Sequence, residues 1–392
     1  MAMEIQTIII FICVLASVLA GLYIFIICTE IAQVRRTKVE QLHMQTIRPD
    51  LESILAAPDF GYDELYNEYV TAARKNIKNK AYRNMLEMVL LEHLEKSGEQ
   101  YKKRALCVSC DLGFPSLCLS QIKSRNNRNV AFGCRKAGLY QHEEAIPYML
   151  KALSIFSNDT QFQILMGLSR IGDVDAMCRA FQIISGYVIV NERAAFEILE
   201  VFSGDKEELY KRMIHCEEEY IATIFIKSLN QDIAKALEED IVGILESGGK
   251  EMRIAAIKAI GKIGQNAPTN YLRNALVDDD WEVRAIAANV LGMQVDLEAS
   301  KTLASALLDP EWWVRQNAAL SLLSYPDCKE LFLSVMRTKD AYARDSIVYA
   351  LENAERLDML AEIQLMLEKA DTEKTEKDGE GILKGERLRQ VV

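Results

Sequence analysis

Few side chains in this 392-residue chain are spaced to do chemistry together. The tightest cluster is a C-x-x-C pair, Cys107 and Cys110, with Cys118 and Cys134 beyond it. Thiolates at that spacing ligate zinc, but a structural zinc site usually takes a second close pair, and none follows. The flanking pattern reads as helix, so both cysteines are expected as small apolar residues on one face. His43, His93, His142 and His215 lie far apart, without partners at ligand spacing. No phosphate-cradling glycine loop, dinucleotide fingerprint or HExxH motif is present. These observations predict no catalytic residue, no metal and no cofactor, and they exclude the motif-bearing enzyme classes.

Arginine and tryptophan do recur at fixed spacing. Arg253, Arg284, Arg315 and Arg344 stand 31, 31 and 29 residues apart. Trp281 and Trp312 each precede an arginine by three residues, and Trp313 adjoins the second. Tryptophan and arginine dominate binding hot spots. Trp281, Arg284, Trp312, Trp313, Arg315 and Arg344 are therefore candidate contacts for a partner protein. The competing reading, favoured by the heavy average burial of aromatic residues, puts the tryptophans in the core at the start of each helix.

The elements that carry these residues are internal repeats. EMRIAAIKAIGKIG (251–264), WEVRAIAANVLGM (281–293), WWVRQNAALSLLSY (312–325) and AYARDSIVYALEN (341–353) each set apolar residues at helical spacing behind the arginine. Between them lie shorter helical stretches, NYLRNALVD (270–278) and SKTLASALLD (300–309), each ending in aspartate. The cycle is helix, aspartate-containing turn, helix. A lone helical hairpin cannot bury its apolar face, whereas stacked hairpins bury one continuous core. The alanines keep the helices close, and the arginines are expected to pair with turn aspartates of neighbouring repeats.

The "VR..AA..LG" pattern with its turn aspartate resembles HEAT-like repeats, in the short form seen in phycobilisome-lyase-type repeat proteins. The resemblance is specific over 250–351 and fades upstream, where KAGLYQHEEAIPYMLKAL (136–153) and RIGDVDAMCRAFQII (170–184) look like degenerate copies. It implies an all-α fold, a right-handed α-solenoid of helical hairpins, that binds other proteins. It also implies an alternative: a chromophore-lyase-like or other HEAT-like repeat enzyme, for which Trp281, Asp280 and Trp312 would be the residues to suspect.

Ile5 to Thr29 contains no charged residue. The 22 residues from Thr7 to Cys28 would reach roughly 33 Å as a helix, enough to cross a bilayer core. The leading MAMEIQT has no positive charge and large residues close the run, so an uncleaved single transmembrane helix is expected rather than a signal peptide. Arg35, Arg36, Lys38 and Arg48 follow the span and nothing basic precedes it. The positive-inside rule then puts the N-terminus outside and the C-terminal domain in the cytoplasm, at the cell membrane. Ala16, Ser17, Ala20 and Gly21 give small-xxx-small pairs that would let the span form a homodimer.

Charge supports the same organisation. The chain carries a net −11, but residues 1–140 hold +4 and residues 141–392 hold −15. The basic half suits anionic lipid headgroups, with Arg35, Arg36, Lys38, Arg74, Lys75 and Lys78 as candidate membrane-surface residues. The acidic half would be repelled by nucleic acid. The nine cysteines are odd in number and scattered, which fits a reducing compartment. The chain divides into an anchor (1–30), a juxtamembrane helix and linker interrupted at Pro49 and Pro58 (31–82), degenerate repeats (83–250), clear repeats (251–370) and a charged, disordered tail (371–392), with 63–96 expected as helix. The functional expectation is a membrane-anchored scaffold for partner proteins. By analogy with bacterial HEAT-repeat proteins that carry one N-terminal span, the partner would be an integral membrane enzyme such as a glycosyltransferase.

Overall fold

A computed structural model of the chain describes residues 2–57, 64–156, 158–185, 191–264 and 267–369, with side chains from Ser17 onward except at 32, 34–43, 158 and 185. Every regular element among these residues is a helix. The expected tail (371–392), Pro58, and the side chains of Arg35, Arg36 and Lys38 lie outside the described residues. The chain divides into two compact units, residues 1–176 with 201–204, and residues 177–200 with 205–392.

The first unit contains α1 (Ala2–Ala56), α2 (Glu64–Asn76), α3 (Lys80–Lys96), α4 (Glu99–Asp111), α5 (Phe114–Ile122), α6 (Asn127–Leu139), α7 (Ile146–Leu153) and α8 (Asn158–Ile171). Among the described residues no single helix is long and apolar enough to cross a membrane. The apolar run described within α1 is Ser17–Ile31, exposed along its length, and the side chains of the expected span before Ser17 lie outside the described residues.

One local expectation is corrected here. Pro49 does not interrupt the chain, because α1 continues through it to Ala56. Proline in a helix costs about 3 kcal/mol, but Ile47, Leu51, Ile54 and Leu55 on either side are buried in a core with Leu86, Leu90 and Phe114. Burying such side chains returns roughly 1.5–3 kcal/mol each, so packing outweighs the lost backbone bond. The helical segment read from sequence is two helices, α2 and α3. At the break, Asn79 takes an extended conformation and its side chain accepts from the Ala81 amide at 2.9 Å, the competing local bond that makes asparagine a helix cap.

α6 and α8 approach most closely where glycine leaves room. A Cβ on Gly138 would lie 2.7 Å from the Gly167 Cα, and one on Gly167 would lie 2.4 Å from the Cys134 carbonyl oxygen. Gly138, one residue before the end of α6, thus serves close contact between the two helices.

The second unit holds most of α9 (Val174–Ser185) and α10 (Glu192–Val201), then α11 (Lys206–Met213), α12 (Glu219–Ser228), α13 (Gln231–Ala236), α14 (Glu238–Ser247), α15 (Lys250–Ile263), α16 (Thr269–Ala275), α17 (Trp281–Gln294), α18 (Ser300–Ala306), α19 (Trp312–Leu322), α20 (Cys328–Met336) and α21 (Ala341–Asn353). A further helix covers 357–369. α15, α17, α19 and α21 form a row in which each packs on the next, and α16, α18 and α20 pack against its members. This is the hairpin stack of an α-solenoid. Ala255, Ala256, Ala259, Ala287, Ala288 and Ala318 are buried in it, so neighbouring backbones come close enough for side chains to reach across. Asn317 donates to the Ala285 carbonyl and Ser321 to that of Ala288, each at 2.8 Å. Tyr325 OH donates to the Leu291 carbonyl at 3.0 Å.

Candidate protein-binding surface

The turns before α17 and α19 are built from aspartate. The Asp278 carboxylate accepts from the Asp280 amide, and that of Asp309 from the Glu311 amide, each at 2.9 Å. This Asx-type bonding tightens the turn. The repeated arginines then clamp the turns. Arg284 donates from Nη1 to the Asp278 carbonyl of its own turn at 2.7 Å. Its Nε and Nη2 reach the Asp309 carboxylate of the next turn at 2.7 and 3.0 Å, a two-pronged pair whose planar fit favours arginine over lysine. Arg253 repeats the arrangement one step earlier, with Nη1 on the Gly248 carbonyl and Nη2 on Asp278 and Asp280 at 2.9 and 2.8 Å. The hydrogen bond from Arg284 to Asp309 holds the guanidinium above its ordinary range, as that from Arg253 to Asp278 does for its own.

The series changes at its end. Arg315 is buried and donates to the Asp309 and Pro310 carbonyls at 2.7 and 2.8 Å. Among the described residues it pairs with no carboxylate of the next turn. Its guanidinium instead lies 5.4 Å from the Tyr342 ring centroid, within cation–π range. Arg344 is exposed and makes no ion pair among the described residues. Of the arginines read as partner contacts, Arg284 and Arg315 spend donors on the repeats themselves, and Arg344 alone among them extends into solvent.

The tryptophans depart from the core expectation. Trp281 is half-buried. Trp312 and Trp313 are 45% and 55% exposed, and their rings meet edge to face with centroids 4.6 Å apart. They stand at the N-terminus of α19, where Val314, Ala318 and Leu322 fill the buried face. The apolar requirement is met without the indoles, so the rings project outward. Tyr342, not singled out from sequence, is 70% exposed. Its signal was available: it precedes Arg344 by two residues, as Trp313 precedes Arg315. Trp312, Trp313 and Tyr342 thus present aromatic surface on consecutive second helices.

Elsewhere the candidate residues do not converge. Arg74 donates from Nε and Nη2 to the Asp111 carbonyl at 3.1 and 2.8 Å, and Lys75 and Lys78 are exposed nearby in sequence. Cys107 and Cys110 lie on α4 as expected of a helix, but both are exposed rather than packed as apolar residues, whereas Cys118 and Cys134 are buried. Burial pushes the Cys118 thiol up to about 12, and an apolar setting of that kind makes a thiol inert. His215 pairs with Asp240 at 2.8 Å, and His93 bonds Ser97 at 3.0 Å.

Two overlapping segments, residues 207–292 and 269–352, match the family described as HEAT repeats. No curated protein matches the chain. Similar solved structures include an engineered protein, 16% identical, covering 78% of this chain and 88% of its own, at a TM-score of 0.34. A designed armadillo repeat protein is 16% identical, covering 54% and 98%, at 0.30. Human deoxyhypusine hydroxylase in complex with glycerol is 16% identical, covering 74% and 99%, at 0.27. The TM-scores are too low for these likenesses to bear on function.

Proposed function

We infer that residues 207–352, which match the family described as HEAT repeats, serve as a repeat scaffold capable of binding proteins. We propose that this chain is a membrane-anchored scaffold, not an enzyme, and that it recruits a partner protein through the exposed face of its last repeats. The observation that carries the reading is the exposure of the Trp312–Trp313 pair and of Tyr342 on consecutive second helices. Solvent-exposed indoles are costly to maintain, and rigidly held aromatics supply large contact area at little entropic cost. Arg344, the exposed member of the arginine series, adds a donor at the edge. The uncharged run from Ile5 to Thr29, followed by Arg35, Arg36 and Lys38, supports an N-terminal span with the repeats on the cytoplasmic side. An integral membrane enzyme, such as a glycosyltransferase, is the partner class that such an anchor would keep within reach.

Affinity capture with the full chain, compared with Trp312→Ala/Trp313→Ala and with Tyr342→Ala, tests the surface. Loss of a defined partner is expected, with weakening of about 2 kcal/mol or more at a hot spot, at unchanged helicity and melting temperature. Retention of every partner by both variants would remove the surface from consideration. Topology is tested separately: protease added outside intact cells should leave the repeats uncut, and digestion of residues 207–352 there would reverse the assignment.

A further inference from the structure

Helices α3, α5 and α6 of the first unit border an open cleft of about 830 Å³. Its α3 wall runs from Lys80 through Arg83, Glu87 and Leu91 to Glu95, roughly 22 Å at ~1.5 Å per residue. The opposite wall comes from Leu117 and Gln121 on α5 and from Phe132, Arg135 and Leu139 on α6. The cleft is therefore a trough as long as a four-turn helix, not an enclosed chamber for a small molecule. Met88, Leu117 and Phe132 are exposed along it, an adaptable methionine-bearing apolar strip.

Its polar groups are set unevenly. Lys136, on α6, is 5% exposed and pairs with Glu87 across the trough at 2.7 Å, while its ammonium lies 4.5 Å from the Phe132 ring centroid. Tyr140 OH also donates to Glu87, at 3.2 Å. Glu95 is taken by Arg135 at 2.9 Å, and Glu92 by Arg48. The carboxylates are thus all engaged. Lys80 and Arg83, in the first turn of α3, have no carboxylate partner among the described residues, and the helix N-terminus adds positive potential there. Gln121 Oε1 is buried without a hydrogen-bond partner, so the wall also holds an acceptor with nothing to accept.

We propose that this trough seats an acidic amphipathic helix of a partner protein. Apolar residues of the incoming helix, spaced by three and four, would lie on Met88, Leu117 and Phe132, with carboxylates toward Lys80 and Arg83 and a donor for Gln121. The length matches a helix, the floor matches an apolar stripe, and the surplus charge at one end selects acid over base. The site uses none of the aromatic residues on the last repeats and stands or falls apart from them.

The test is a selection of displayed, roughly 15-residue helical peptides on the full chain in detergent micelles. The winners are then measured by fluorescence anisotropy on the wild type, on Arg83→Glu/Met88→Asp and on Trp312→Ala/Trp313→Ala. The expected winners are rich in Asp and Glu, carry apolar residues at helical spacing, lose at least about tenfold in Kd on the first variant, and keep full affinity on the second. If Arg83→Glu/Met88→Asp lowers helicity, Lys80→Glu at an exposed position takes its place with the same expectation. No enrichment, basic winners, or equal binding to the trough variant would overturn the proposal. So would saturable binding of cis-parinaric acid that the trough variant abolishes, since the cleft would then belong to a free anionic amphiphile.

Discussion

At the scale of single residues, four arginines that look alike in sequence do different work. Arg284 spends donors on two turns, and its partner Asp309 is only 9% exposed. Removing the guanidinium leaves that carboxylate nearly buried and uncompensated. Arg284→Ala should therefore cost about 3 kcal/mol, seen as a lower midpoint in thermal or urea unfolding. Arg284→Lys should recover little, because an ammonium cannot occupy both carboxylate oxygens and the Asp278 carbonyl at once. Arg344→Ala, at an exposed position without an ion pair, should change stability by no more than about 0.5 kcal/mol. Equal losses at 284 and 344 would contradict the assignment of one to the fold and the other to the surface. The indoles make the complementary point: Trp313→Ala should leave the unfolding midpoint nearly unmoved, since its ring is more than half exposed.

At the scale of elements, contact between helices depends on what is missing as much as on what is present. α6 and α8 meet at Gly138 and Gly167, where an added Cβ would press on backbone atoms. Gly167→Ala gains about 1 kcal/mol of helix propensity but must push the two backbones apart, at about 1–3 kcal/mol. Net destabilisation is expected, and a raised melting temperature would show that the helices have slack. The docking of α1 on α3 carries a pH signature. The hydrogen bond from Arg48 holds the Glu92 carboxyl below its ordinary value. A lowered carboxylate stabilises fully above the unfolded pKa of about 4.3 and loses that contribution as pH falls through the folded value. Between about pH 6 and pH 3 the wild type should lose slightly more stability than Glu92→Gln. The difference should be small, because both side chains are more than a third exposed and water screens the pair.

At the scale of the molecule, stability in a repeat stack is the sum of repeat terms and nearest-neighbour contacts. The loss caused by Arg284→Ala should therefore stay local. Amide hydrogen exchange should quicken over 269–322 before it does over 80–139, and uniform acceleration along the chain would show a cooperative unit instead. Composition acts at this scale too: the −15 carried by residues 141–392 would repel nucleic acid and anionic lipid alike.

The repeats were legible because their causes are local and periodic. Apolar spacing within 251–264, 281–293, 312–325 and 341–353 is a property of each helix by itself, and the recurrence of arginine and aspartate marks the turns that join them. The arginine–aspartate pairing at 253 and 284 followed from that same register. What depended on neighbours was not legible. Whether Pro49 breaks a helix was settled by the core around it, and whether Trp312 is buried by what else fills α19. The Lys136–Glu87 pair and the trough beside it join positions 49 residues apart in the chain, which no helical period relates. Helix formation responds to spacing along the chain; burial and pairing respond to whatever the folded chain brings alongside.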